Sequence, residues 1–167
     1  MPHLAYLSLG SNVGDREAQL CAAIAHLPAV GRVVAVSSFY ETEPVEFTKQ
    51  AWFLNCVVAL ETEKTPLELM TALLAIEQQM GRRRLQNKGP RSIDIDILFF
   101  DDTIIDSVEL TVPHPAMQDR RFVLEPLAEI APELVHPLSN KTIRELRDAL
   151  PPGQEVRRIS GRLTGND

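Results

Sequence analysis

Arg91-Ser92-Ile93-Asp94-Ile95-Asp96-Ile97-Leu98 follows directly on Gly81-Arg82-Arg83-Arg84-Leu85-Gln86-Asn87-Lys88-Gly89-Pro90. From Ile93 onward, branched aliphatic residues alternate with acids at period two, the pattern of a β-strand. Residues i and i+2 of a strand point to the same face with Cα atoms roughly 6.5–7 Å apart. Asp94 and Asp96 therefore share one side while Ile93, Ile95 and Ile97 pack the other. Arg82, Arg83, Arg84, Lys88 and Arg91 lie just upstream, and residues 81–91 contain no acid. Carboxylates that can hold divalent cations, beside guanidiniums that can hold phosphates, point to phosphoryl-transfer chemistry.

Reading outward from this strand gives the fold. Residues 4–10 alternate like a strand and run into a turn-rich stretch, Gly10-Ser11-Asn12-Val13-Gly14-Asp15. A helix is expected from about Asp15 to Leu27, with Leu20, Ala23, Ile24 and Leu27 on one side. Residues 32–40 read as a second strand, 41–51 as a loop containing Pro44, and 53–62 as a third strand. Thr65, Pro66 and Glu68 form the signature of a helix start, an N-cap with a capping box and proline in the first turn. That helix runs to about Met80 and stops at Gly81. The strand at 92–100 is followed by a hairpin over roughly 103–112 and short helices near 122–129 and 140–149. The tail 151–167, which opens with Pro151-Pro152-Gly153, is expected to be loose. Strand, helix, strand, strand, helix, strand is the ferredoxin-like βαββαβ order, an α+β fold with an antiparallel sheet and helices on one face.

The bulk properties narrow the function classes. The chain has 167 residues and a net charge of −6, which fits one globular domain over 1–167 and gives no support for nonspecific nucleic-acid binding. No apolar stretch reaches membrane length and no leader pattern is present, so no membrane association is expected and the cytoplasm is the expected compartment. Cys21 and Cys56 sit in apolar runs and read as two buried thiols, neither a disulfide framework nor a metal motif.

Each candidate residue has a bland alternative. An Asp-x-Asp pair is often only the solvated side of a strand. Here the strand is strongly apolar, and two adjacent acids on a covered face would be costly without cations. The basic run could be a solvated loop, but it sits between a helix end and the acid-bearing strand. On the helix from Thr65 to about Met80 the apolar stripe of Leu67, Met70, Leu73, Leu74 and Met80 has Glu77 near its middle, which favours a buried carboxylate paired with a nearby arginine. His114 stands between Pro113 and Pro115 in a stiff extended segment suited to facing phosphate, and Arg120 and Arg121 follow. Gly10–Gly14 matches neither the P-loop nor the dinucleotide fingerprint. Phe53 and Asn55 share a strand face, where a ring and an amide suit a flat heterocycle; a core phenylalanine beside a capped asparagine fits the same spacing.

Taken together these segments resemble the 6-hydroxymethyl-7,8-dihydropterin pyrophosphokinase family. The resemblance rests on Leu-Gly-Ser-Asn at 9–12, Ser-Ser-Phe-Tyr-Glu-Thr-Glu-Pro at 37–44, Phe-Leu-Asn at 53–55, and Glu77 with Gly81, Arg82 and Arg84. Gly-Pro-Arg-Ser-Ile-Asp-Ile-Asp-Ile-Leu at 89–98, Leu-Thr-Val-Pro-His at 110–114, and Arg120 with Phe122 complete it. It implies a ferredoxin-like fold and transfer of the β,γ-diphosphate of ATP to the hydroxymethyl oxygen of the pterin, releasing AMP, in folate biosynthesis. It implies that Asp94 and Asp96 bind two Mg²⁺ ions and form the catalytic set with Arg82 and Arg91. ATP would be held by Glu77, Arg82, Arg84, Arg91, Ile97, Thr111, His114 and Arg120. The pterin would be clasped by Thr42, Val45, Phe53, Asn55, Asp94 and Phe122. The sequence departs from the family pattern at Lys88, where many members carry an aromatic residue, and at Glu109 and Pro115, where others offer an arginine and an aromatic.

The expected partners are thus ATP and the pterin alcohol, with no nucleic acid, and the expected state is a monomer. A competing reading is a non-catalytic ferredoxin-like module that binds a small molecule. It would keep the Phe53/Asn55 pocket without needing Asp94, Asp96, Arg82 and Arg91 together. A metal-dependent nuclease or nucleotidyltransferase would use the acid pair but lacks a broad basic surface.

Overall fold

Period-two alternation on three long strands organises the molecule. The computed structural model describes residues 2–12, 14–42, 52–81, 93–153 and 156–159. Its elements are β1 (His3–Ser11), α1 (Arg16–His26), β2 (Arg32–Val36), β3 (Phe39–Thr42), β4 (Phe53–Thr62), α2 (Pro66–Gln79), β5 (Asp94–Phe100), β6 (Ile105–Asp106), β7 (Thr111–Val112), α3 (Arg121–Ile130), α4 (Ile143–Asp148) and β8 (Val156–Ile159). The sheet runs β5-β1-β4-β3-β8, with β2 also paired to β4, and β6 and β7 form a separate hairpin. Each pairing is antiparallel. This is the ferredoxin-like arrangement, with the second strand of the pattern split in two.

The split has a local cause. The single strand expected over 32–40 breaks at Ser37, whose backbone N–H donates to Val57 O at 2.9 Å while its hydroxyl accepts from Val57 N at 2.9 Å. A side chain thus replaces one rung of the ladder, and the chain restarts as β3, which continues to Thr42.

On the back of the sheet, Ala5, Leu7 and Leu9 of β1, Leu54, Cys56, Val58 and Leu60 of β4, and Ile95 and Ile97 of β5 pack with Leu20, Ala23 and Leu27 and with Leu69, Leu73 and Ile76. Asp15 caps α1 by accepting from Ala18 N at 3.1 Å, and the Thr65–Glu68 capping box on α2 is formed. Two expectations are corrected here. The inward stripe of α2 is Leu69, Leu73, Ile76 and Glu77, whereas Leu67 and Leu74 are 48% and 47% exposed. Cys21 is exposed and only Cys56 is buried: Leu20, Ala23 and Leu27 set the buried face of this helix and turn the Cys21 position outward.

The front of the sheet is covered by α3 and α4 over one half. Val57, Leu98 and Phe99 meet Val123, Leu124, Leu127, Ile143 and Leu146 there, with Tyr6 at the margin. Glu129 of α3 fastens this layer, its carboxylate accepting from Ser38 N at 3.0 Å, Ser38 Oγ at 2.9 Å and Tyr40 OH at 2.7 Å. The tail expected to be loose contributes β8, which pairs with β3 from Phe39↔Ile159 to Thr42↔Val156.

Candidate active site

The other half of the front face is polar, and the register lays it out in rows. Asp94 stands opposite Gly10, Gly10 opposite Asn55, and Asn55 opposite Tyr40; in the next row Asp96 faces Ser8, and Ser8 faces Val57. Asp94 and Asn55 are therefore two strands apart in one row, roughly 10 Å at the usual inter-strand spacing.

The Asn55 end is rigid. Asn55 and Thr42 are 4% and 2% exposed, and Asn55 Nδ2 donates to Thr42 Oγ1 at 2.7 Å. The amide lies across Gly10, where an added Cβ would meet Asn55 Oδ1 at 2.7 Å. Only glycine leaves room for the amide at this point. Phe53 pairs with Thr42 in the adjacent row and is half-buried.

The acid end lies at the edge of the sheet. Asp94 is half-buried and Asp96 exposed, while Ile95 and Ile97 between and beyond them are buried, as the alternation requires. Because β5 is the edge strand among the described residues, its outward N–H groups meet no strand partner among them. Glu77 supplies one: it is 2% exposed, and its Oε2 accepts from Ile95 N at 2.6 Å. The carboxylate expected to organise an arginine braces the strand between the two aspartates; the arginines of the 82–91 run lie outside the described residues.

His114 reaches the same end from the turn after β7. Its N–H donates to Leu98 O at 3.0 Å, and its Nδ1 accepts from Ala116 N at 3.3 Å, which leaves the neutral ring's proton on Nε2. The segment bends at Pro113 and turns at 115–116, instead of running extended as expected from the two prolines. Burial pushes the His114 pKa below its usual value, Asp96 works against that shift, and Arg120 adds to it. These opposed influences put His114, Asp96 and Arg120 in one electrostatic environment. Arg120 also lies over the Phe122 ring, with Cζ 5.5 Å from its centroid. Thr111 is in β7 and half-buried. Ile97 turns its side chain into the core, so only its backbone can meet a ligand.

Arg82, Arg84, Arg91, Val45 and the departure at Lys88 lie outside the described residues. Among the described residues no group of three or more His, Cys, Asp and Glu side chains gathers to hold a metal. Two carboxylates without a protein cage suit Mg²⁺, which keeps waters and takes its remaining oxygens from substrate phosphates. Gly10 and Ser8 floor the site between the acids and the amide; sequence reading passed over Ser8 and took Gly10 as the start of a turn, whereas β1 runs on to Ser11. A glycine inside an otherwise regular strand was the available signal.

A family model described as 7,8-dihydro-6-hydroxymethylpterin-pyrophosphokinase (HPPK) matches residues 6–132. The 2-amino-4-hydroxy-6-hydroxymethyldihydropteridine pyrophosphokinase of Methylorubrum extorquens is 47% identical over 150 residues, covering 89% of this chain and 94% of that protein. Folic acid synthesis protein fol1 of Schizosaccharomyces pombe is 45% identical over 150 residues, and there the chain spans only 20% of the relative's length. A Plasmodium falciparum HPPK-DHPS crystal structure with pteroate superposes with a TM-score of 0.73 at 19% identity, over 89% of this chain and 44% of that one. At that identity it speaks for the fold alone.

Proposed function

The chain belongs to the 7,8-dihydro-6-hydroxymethylpterin-pyrophosphokinase family, and from that premise we propose how its front face carries the reaction. The reaction is diphosphate transfer from ATP to the hydroxymethyl group of 6-hydroxymethyl-7,8-dihydropterin, with AMP as the second product, in folate synthesis. Asn55 and Thr42 read the polar edge of the pterin, Phe53 and Phe122 contact its ring, and Val45 adds a backbone contact. The observation that carries this assignment is the row Asp94–Gly10–Asn55. A bicyclic ring held at Asn55 and reaching along the row past Gly10 brings its hydroxymethyl arm to Asp94.

The phosphates lie along the acid edge. Arg82, Arg91, His114 and Arg120 hold the triphosphate and meet charge developing at the transferred group, and Arg84 adds to them. The backbone of Ile97 and Thr111 takes the rest of the nucleotide, with Glu77 bracing β5 beneath it. Asp94 and Asp96 would hold two Mg²⁺ ions, which would supply neutralisation of phosphate charge and make the hydroxymethyl proton easier to lose. The protein's own part is orientation: in-line transfer needs positioning and fixed charge more than a strong side-chain base. His114, whose pKa burial lowers, donates from Nε2.

The non-catalytic module is not favoured, because the family match runs through Asp94 and Asp96. No helix among the described residues is long and apolar enough to cross a membrane, and a monomer acting in the cytoplasm is part of the proposal. The decisive experiment follows the products of ATP with and without the pterin alcohol and Mg²⁺. AMP is expected only when both are present; ADP as the product would sink the reading.

A further inference from the structure

On the back of the sheet, directly behind the proposed pterin residues, four residues form a closed ring of contacts, one of them through a backbone carbonyl. Glu41 of β3 is shared by two arginines: Oε2 accepts from Arg16 Nη2 at 2.8 Å, and Oε1 accepts from Arg157 Nη2 at 3.0 Å. Arg16 also donates through Nη1 to the carbonyl of Trp52 at 2.7 Å. Arg157 lays its guanidinium over the Trp52 ring, with Cζ 4.4 Å from the centroid. The ring thus joins the start of α1, the end of β3, the residue before β4, and β8.

Its position follows from period two. Glu41 pairs across the ladder with Leu54, which faces the back core. The neighbours of Glu41 and Trp52 are Thr42 and Phe53, and these two are cross-strand partners on the front face. Fixing Glu41 and Trp52 from behind therefore fixes the backbone that aims Thr42 and Phe53 forward. Thr42 in turn accepts the Asn55 amide.

We propose that Arg16 and Arg157 are positioning residues for the pterin subsite, acting through Glu41 and Trp52. This rests on the assignment of Thr42, Phe53 and Asn55 to the pterin. The alternative is that the ring merely contributes stability. The Arg157 side chain is 57% exposed, and an ion pair that open to water adds little to folding; the Arg16–Glu41 pair is more sheltered, at 26% and 22%. What they do supply is geometry: the planar guanidinium fork sets distance and direction together. β8 gains a role by the same reasoning, because it delivers Arg157 to the back of the site.

The test compares Arg157→Ala, Arg157→Lys and Asn55→Ala in the full chain by steady-state kinetics with each substrate varied in turn. Arg157→Ala is expected to raise KM for the pterin alcohol about tenfold, inside the roughly hundredfold that a 1 Å misplacement can cost. KM for ATP and kcat should stay within about twofold of the parent, and Arg157→Lys, which keeps the charge but lacks the planar fork, should recover only part of the pterin KM. An unchanged pterin KM, or equal losses for both substrates, overturns the proposal. Arg16→Gln, which approaches the same carboxylate from α1, is judged by the same split and decides the matter if Arg157→Ala does not fold. Asn55→Ala separates the two layers of inference. If it leaves the pterin KM unchanged, the subsite assignment itself fails; if it raises that KM while Arg157→Ala does not, only the positioning role fails.

Discussion

The two faces of β1, β4 and β5 are made by alternate residues of the same strands, yet they do opposite work. The back presents Leu7, Leu9, Leu54, Cys56, Val58, Ile95 and Ile97 to α1 and α2. The front presents Ser8, Gly10, Asn55, Asp94 and Asp96 over the half that α3 and α4 leave open. A side chain on the back is held by close packing, where volume sets the energy. One on the open front is held by a few directed contacts, where charge and hydrogen bonding set it. Stability and chemistry are therefore separable by a shift of one residue along a strand.

The largest expected effect sets the two faces against each other. Asp96→Ala removes a phosphate-side carboxylate from an exposed position and should lower kcat by about a thousandfold, the equivalent of roughly 4 kcal/mol of lost transition-state stabilisation. Its urea midpoint should match the parent. Leu54→Ala, on the back of β4 two strands away, should cost about 3–4 kcal/mol of stability through lost burial and a residual cavity. The folded fraction of that variant should turn over normally below its melting range. Denaturation curves and turnover measured on both variants check the separation. Were Asp96→Ala to unfold the protein, or Leu54→Ala to abolish turnover while folded, the division of labour between faces would be wrong.

A smaller effect is expected where the open front is itself tightly packed. Gly10→Ala adds one methyl group facing Asn55 Oδ1, at 2.7 Å before any relaxation. The amide must tilt off its 2.7 Å contact with Thr42, so KM for the pterin alcohol should rise by roughly 10- to 100-fold while that for ATP stays near its parent value. Kinetics with each substrate varied alone reads this directly. A comparable rise for ATP would mean that Gly10 belongs to the floor of the whole site, not to its amide end.

Much of this layout was legible beforehand, and the part that was not has a common cause. The acid strand, the capping box at Thr65 and Glu68, and the strand face shared by Phe53 and Asn55 are patterns of short sequence range, fixed by the geometry of one element. Glu77 was legible as an acid on a buried stripe. The stripe itself was read about one position out of phase, because Leu67 and Leu74 satisfy a helical period as well as Leu69, Leu73 and Ile76 do, and only the neighbouring sheet selects between them. The break at Ser37, the Glu129 hub on α3, and β8 with Arg157 all depend on partners tens of residues away or more. Nothing in the local sequence of Val156–Ile159 announces that it pairs with β3, and the prolines before it pointed toward a loose end.

The covered half of the front face offers the smallest and most specific test. His136 is buried edge-on against Phe99, with ring centroids 5.5 Å apart, and its Nδ1 accepts from Leu138 N at 3.2 Å and Ser139 N at 3.4 Å. The unprotonated nitrogen thus closes the turn that leads to α4. Burial holds the His136 pKa below the usual histidine value. In the window between that depressed value and the unfolded-state value of about 6.5, the unfolded chain binds more protons than the folded one. Stability must then rise with pH across the window and fall as the solution is acidified through it. His114, also shifted down by burial, contributes with the same sign, so the urea midpoint should drop between pH 7.5 and the acid side of the window. His136→Asn separates the two histidines, because an amide oxygen can take the same backbone donors but cannot be protonated. The variant should lose stability less steeply on acidification than the parent. An identical slope would assign the pH response to the open half of the face, where His114 sits beside Asp96 and Arg120.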